Sequence, residues 1–162
     1  MKLSAATFAI VSLVGLAGIS PAAARSAAPS EDPWNPAHFG GLPGVVRATV
    51  EHSARACGSP LIAMHLFSRY IQDRVTGDRF IALHFEDLHC PNKQAVCTAA
   101  GCLHQVFVSK GGPYRLILSL HAPEIELKLI GGSAAVEIEC GETPESCVRD
   151  FRWDGSHLNR LR

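Results

Sequence analysis

The stretch Arg79-Phe80-Ile81-Ala82-Leu83-His84-Phe85 decides the fold, because its side chains alternate. Ile81, Leu83 and Phe85 share one face, while Ala82, His84 and the following Glu86 share the other. That is the two-residue period of a strand with one buried side. Thr76-Gly77-Asp78 just ahead of it has turn chemistry, so Arg69–Val75 becomes its antiparallel partner. The same pattern continues downstream. Leu103–Ser109 and Tyr114–His121 flank Lys110-Gly111-Gly112-Pro113, and Glu124–Ile130 and Ala135–Cys140 form the clearest hairpin. In that hairpin Ile125, Leu127 and Leu129 align with Val136, Ile138 and Cys140 on the core side, and Glu124, Glu126, Lys128, Glu137 and Glu139 face outward. A four-residue loop from Gly131 to Ala134 sets Lys128 opposite Glu137. Val148–Trp153, the Asp154-Gly155 turn and His157–Leu161 close the series.

Upstream of the strands, Leu61–Phe67 is apolar without a clear period. Before it lies a helix: Pro43 suits the first turn, Val46, Val50, Ser53 and Cys57 fall on one stripe, and Gly58 and Pro60 stop it. One helix followed by antiparallel strands predicts an α+β fold, an N-terminal helix packed on a mostly antiparallel twisted β-meander over residues 42–162. The alternative is a β-sandwich or small barrel with a single helix. Residues 25–41, with Pro29, Pro33 and Pro36, read as a flexible lead-in whose Trp34 and Phe39 tack its end onto the body or form an exposed arm.

Residues 1–24 read as a signal peptide. Met1-Lys2 opens it, an almost uncharged run extends from Leu3 to Ile19, Pro21 breaks that run, and Ala22-Ala23-Ala24 offers small residues for cleavage. The expected location is therefore periplasmic or secreted, where thiols oxidise. The 15 Lys/Arg residues balance the 15 Asp/Glu residues, so charge gives no reason to expect a nucleic acid or an anionic membrane as partner. No apolar run after the leader approaches the roughly 18 residues of a membrane-spanning helix, so no transmembrane segment is expected. The six cysteines, Cys57, Cys90, Cys97, Cys102, Cys140 and Cys147, allow fifteen pairings. The segments 97–102 and 140–147 are short and contain glycine, so each can turn back on itself, which leaves Cys57 for Cys90.

No cofactor, metal or catalytic set is legible as a motif. His84 and Glu86 share a strand face, and His104 begins the next predicted strand. These three are the candidates for acid–base or metal chemistry if the strands pair in sequence order. A zinc site from Cys90, Cys97, Cys102 and a histidine lacks the tight C-x₂₋₄-C spacing. The Asp73–Asp78 segment lacks the alternating ligands of a calcium loop and reads as a plain hairpin turn. There is no G-x-S-x-G elbow.

The order of features over residues 43–158 resembles a group of small exported proteobacterial proteins that carry no assigned activity. That order is the helix ending in Cys57, Asp73…Gly77-Asp78 before a strand, Cys90, Cys97…Gly101-Cys102 leading into Gln105-Val-Phe-Val, Gly112-Pro-Tyr114, and Cys140…Cys147 before Phe151-Arg-Trp-Asp-Gly155. The resemblance implies export and a bridged framework and supplies no catalytic residues. The expectation is an exported non-enzymatic domain that binds a protein or other envelope macromolecule through the loops 91–100 and 141–146. The alternatives are a small envelope hydrolase or metal-dependent enzyme using His84, Glu86 and His104, and a structural subunit with an exposed apolar patch.

Overall fold

In the computed structural model, which describes residues 34–139 and 148–161, the strand over residues 79–84 is buried on both faces. Ile81 and Leu83 lie in one apolar core, and Phe80 and Ala82 lie in a second. The chain runs β1 (Trp34–Asn35), α1 (Pro36–Gly40), α2 (Gly44–Ser53), β2 (Ala63–Met64), β3 (Ser68–Gln72), β4 (Arg79–His84), β5 (Cys97–Thr98) and β6 (Gly101–Ser109). It continues through β7 (Arg115–Ala122), β8 (Glu124–Ile130), β9 (Ser133–Glu139), β10 (Val148–Trp153) and β11 (Leu158–Arg160). The described residues belong to one unit, Asp32–Arg162.

The expected α+β fold, one helix on a single meander, is overturned. The strands form three antiparallel sheets: β1-β2; β3-β4-β6 with β5 and β7 also paired to β6; and β8-β9-β10-β11. The reason lies in the stretch 79–85. Alternation of a large apolar with a smaller apolar residue looks like one buried face in sequence, yet Phe80 and Ala82 need cover as much as Ile81 and Leu83 do. Val106 and Val108 on β6 repeat the demand, and β8 and β9 answer it with Ile125, Ala134, Val136 and Ile138. Trp153 of β10 closes that core edge-to-face on Phe80, with ring centroids 5.5 Å apart. On the opposite face Val46 and Val50 of α2, both fully buried, cover Ile81, Leu83, Phe85 and Phe107. Each such side chain contributes about 1.5–3 kcal/mol. The end of the segment read as a lead-in joins this core: Trp34–Asn35 pairs with Ala63–Met64, and Phe39 is buried.

Two disulfides bridge Cys57 to Cys90 and Cys97 to Cys102. The first ties the turn after α2 to the loop after β4, and the second staples β5 to β6 directly across the ladder. Cys140 and Cys147, with the loop 141–146, lie outside the described residues, as do residues 1–24. No helix among the described residues is long and apolar enough to cross a membrane.

The β8–β9 hairpin is tighter than its sequence suggested. Gly131 and Gly132, at φ +61 and +88, make a two-residue turn, so Ile130 pairs with Ser133 and the register moves by two. Lys128 now stands opposite Ala135 and reaches Glu137 diagonally, with Asp150 Oδ1 3.0 Å from its ammonium. Glu126 stands opposite Glu137, and Glu124 opposite Glu139.

Candidate metal centre

Three residues flagged in the sequence meet at one end of β4. His84 ends that strand and pairs directly with His104 on β6, so both rings emerge on the face turned toward β8 and β9. Phe85 then dives into the helix-side core, and the chain leaves the sheet as a single 3₁₀ turn, Phe85–Asp87. That turn carries Glu86 back to the two rings. Donor atoms of His84, Glu86 and His104 all lie within 4.8 Å of one another. The rings are edge-to-face, with centroids 5.3 Å apart.

The contacts inside the cluster are unusual. His84 Nδ1 is 3.6 Å from Glu86 Oε1, and His104 Nε2 is 3.9 Å from Glu86 Oε2. Both distances are too long for hydrogen bonds. The first is close to the roughly 3.3 Å that separates neighbouring ligand atoms around a tetrahedral ion with bonds of about 2.0–2.1 Å; in the second His104 Nε2 is turned to the Ala122 carbonyl, which leaves Nδ1 as the free nitrogen of that ring. His104 is wholly buried and His84 is 7% exposed. His84 Nε2, His104 Nδ1 and Glu86 Oε2 are buried without a hydrogen-bond partner, a condition that native proteins rarely leave uncorrected. Burial holds the His104 imidazole below its ordinary pKa, against the opposing pull of Glu86, which favours a neutral ring. Burial pushes Glu86 up, but the His84 ring, its own backbone amide and the facing imidazoles outweigh this and hold it below the usual carboxylate range. A neutral imidazole and an ionised carboxylate are the forms a metal ion binds.

Backbone packing fixes the frame. His104 Nε2 lies 3.1 Å from the carbonyl oxygen of Ala122, the last residue of β7. Only Pro123 separates β7 from β8, and this corner presses on Gly101, where φ is +114. A Cβ at Gly101 would sit 2.0 Å from the Ala122 oxygen, so glycine is what lets the corner close. The corner in turn places Glu124, whose Oε1 is 3.4 Å from His84 Nδ1. Burial and the neighbouring Glu86 raise the Glu124 pKa despite His84. Sequence reading set Glu124 on the solvated face and missed it. The available signal was Ala122-Pro123-Glu124, a one-residue corner too short to carry β8 away from the ends of β4 and β6.

In the Asp73–Asp78 turn the chain's own donors engage the carboxylates. Asp73 Oδ1 accepts from the amides of Val75 and Thr76 at 2.7 and 2.8 Å, and its Oδ2 accepts from Ala134 at 2.8 Å. Asp78 Oδ2 accepts from the Trp153 indole at 2.8 Å. These carboxylates staple the β3–β4 turn to β9 and β10. Cys90, Cys97 and Cys102 are consumed by the bridges, and His121 is exposed at the end of β7. No family model, curated protein or solved structure matches this chain.

Proposed function

We propose that this protein works outside the cytosol as a binding domain whose ligand is a divalent first-row transition-metal ion. One observation carries the reading: donor atoms of His84, Glu86 and His104 converge within 4.8 Å, and each of the three side chains keeps one buried polar atom without a partner. Two imidazoles and one carboxylate suit Zn²⁺, Cu²⁺ or Ni²⁺, whereas Ca²⁺ and Mg²⁺ favour all-oxygen sites. Three protein ligands leave a coordination position for water or for a further ligand. Export is supported by the leader pattern of residues 1–24 and by two bridges of the kind an oxidising compartment preserves.

Titration calorimetry on the oxidised protein tests the assignment. One-to-one binding of Zn²⁺ or Cu²⁺ is expected, with none for Ca²⁺. His84→Ala and His104→Ala each weaken it at least tenfold, and His157→Ala leaves it unchanged. Affinity unchanged in the His84→Ala/His104→Ala double variant overturns the reading. Ester or peptide hydrolysis that requires both the ion and His84 would move the protein to the metal-dependent enzyme alternative.

A further inference from the structure

The acidic groove beside the cluster carries the next step. Two strand edges that belong to different sheets, β3 and β8, flank a groove of about 740 Å³. Its walls bring Glu124, Glu126, Glu137 and Glu139 together, and its deep end is His84, whose buried Nε2 has no partner. His104 and Glu86 stand behind His84 and do not line the groove. His84 and Glu124 line the groove and touch each other, so the groove opens onto the cluster at that point.

The four glutamates are arranged at a cost to the fold. Glu124 faces Glu139 and Glu126 faces Glu137 as directly opposed cross-strand pairs, an arrangement that destabilises a hairpin. Lys128 answers Glu137 but shares its charge with Asp150, and Arg69 on the far wall adds one positive charge. The floor remains net negative, and a cleft lined by one sign of charge concentrates the opposite ion and speeds its arrival. Glu124 touches both compartments, since its half-exposed side chain lines the groove while Oε1 sits 3.4 Å from His84 Nδ1. Two apolar cores pack the two faces of the β3–β4–β6 sheet apart from the cluster.

Resting on the metal reading above, we infer that the β3–β8 groove is the loading and unloading route of an exchangeable metal ion, which makes the protein a metal carrier rather than a protein with a structural metal. Glu126 and Glu139 draw the ion in, and Glu124 passes it to His84.

Stopped-flow mixing of the oxidised protein with Zn²⁺, and of the Zn²⁺-loaded protein with excess chelator, separates uptake from release. Wild-type uptake is expected to slow several-fold between 20 mM and 500 mM salt. Glu126→Gln/Glu139→Gln slows uptake roughly three- to tenfold at low salt, leaves release unchanged, and matches wild type at high salt. Glu124→Gln slows both uptake and release, with a smaller change in their ratio. This substitution series removes like-charge contacts, so folding is not at risk. Tight Zn²⁺ binding whose rates ignore salt and all three glutamates overturns the groove while leaving the metal site standing. A wild-type protein that binds no transition metal overturns both.

Discussion

The two ends of β4 carry buried polar groups of opposite character. At its start, Asp73 and Asp78 are almost fully buried, and hydrogen bonds from Val75, Thr76, Ala134 and the Trp153 indole engage three of their carboxylate oxygens. At its far end His84 and His104 are packed nearly as deeply and Glu86 is partly exposed, yet each of the three retains a buried polar atom with no partner. Buried donors and acceptors cost about 1–3 kcal/mol each when unmet, so the second arrangement survives only because the sheets around it over-determine it or because a ligand completes it. The first end is closed by the protein itself. The second is left open by the protein, and the proposed metal ion would close it.

The largest effect is expected where the backbone builds the open end. Gly101→Ala drives a Cβ into the Ala122–Pro123 corner at 2.0–2.4 Å and forces an L-residue to φ +114. A loss of about 4 kcal/mol or more in urea unfolding is expected, together with loss of metal binding, because the same corner positions His104 and Glu124. A Gly101→Ala protein of wild-type stability would show that the corner does not frame the cluster.

Next comes a direct contrast between the two ends. Asp73→Asn puts an amide where three backbone N–H groups need acceptors, and about 2–3 kcal/mol should be lost. Glu86→Gln removes a partly exposed carboxylate that the neighbouring rings favour without a hydrogen bond, so ion-free stability should change by less than about 1 kcal/mol. Equal losses at the two sites would erase the distinction. The contrast extends to pH. Burial pushes the Asp73 carboxyl up, but hydrogen bonds from Ala134, Thr76 and Val75 outweigh it and hold the folded-state pKa below the ordinary carboxylate range. Its contribution is therefore fully present above the unfolded pKa and is lost as pH falls through the folded value. Asp73→Asn should flatten the stability curve below about pH 4, which acid titration of unfolding midpoints would check.

Much of this contrast was latent in the sequence, but unevenly. The strand positions were legible because Ile81-Ala82-Leu83-His84 and Glu124–Ile130 alternate cleanly, and His84, Glu86 and His104 could be flagged from strand phase alone. The architecture was misjudged because Phe80 and Ala82 look like filler on a solvated face, while only the partner strands β8 and β9 reveal that this face is buried too. Register failed by two residues at Gly131-Gly132, since phase is preserved whether the loop has two residues or four. The role of Asp73 was invisible for a different reason: its third hydrogen bond comes from Ala134, 61 residues away, and a local motif cannot announce a distant donor.

An ion at the open end should stabilise the folded protein. With Zn²⁺ at ten times its dissociation constant, stabilisation of about 1.4 kcal/mol is expected, read as a rise in unfolding midpoint. His84→Ala should abolish that rise and Asp73→Asn should retain it. A rise that survives His84→Ala places the ion elsewhere.

The smallest effect belongs to Lys128. Its ammonium joins Glu137 and Asp150 at a partly exposed site, where ion pairs contribute about 0–1 kcal/mol. Lys128→Met should therefore barely move stability, perturbing neither end of β4. It should instead leave Glu137 uncompensated opposite Glu126, making the groove more negative. Zn²⁺ uptake at low salt is then expected to quicken about twofold while the unfolding midpoint in urea stays within error. Slower uptake would mean that the groove charge does not govern access, and that the opposed glutamates serve some purpose other than drawing in a cation.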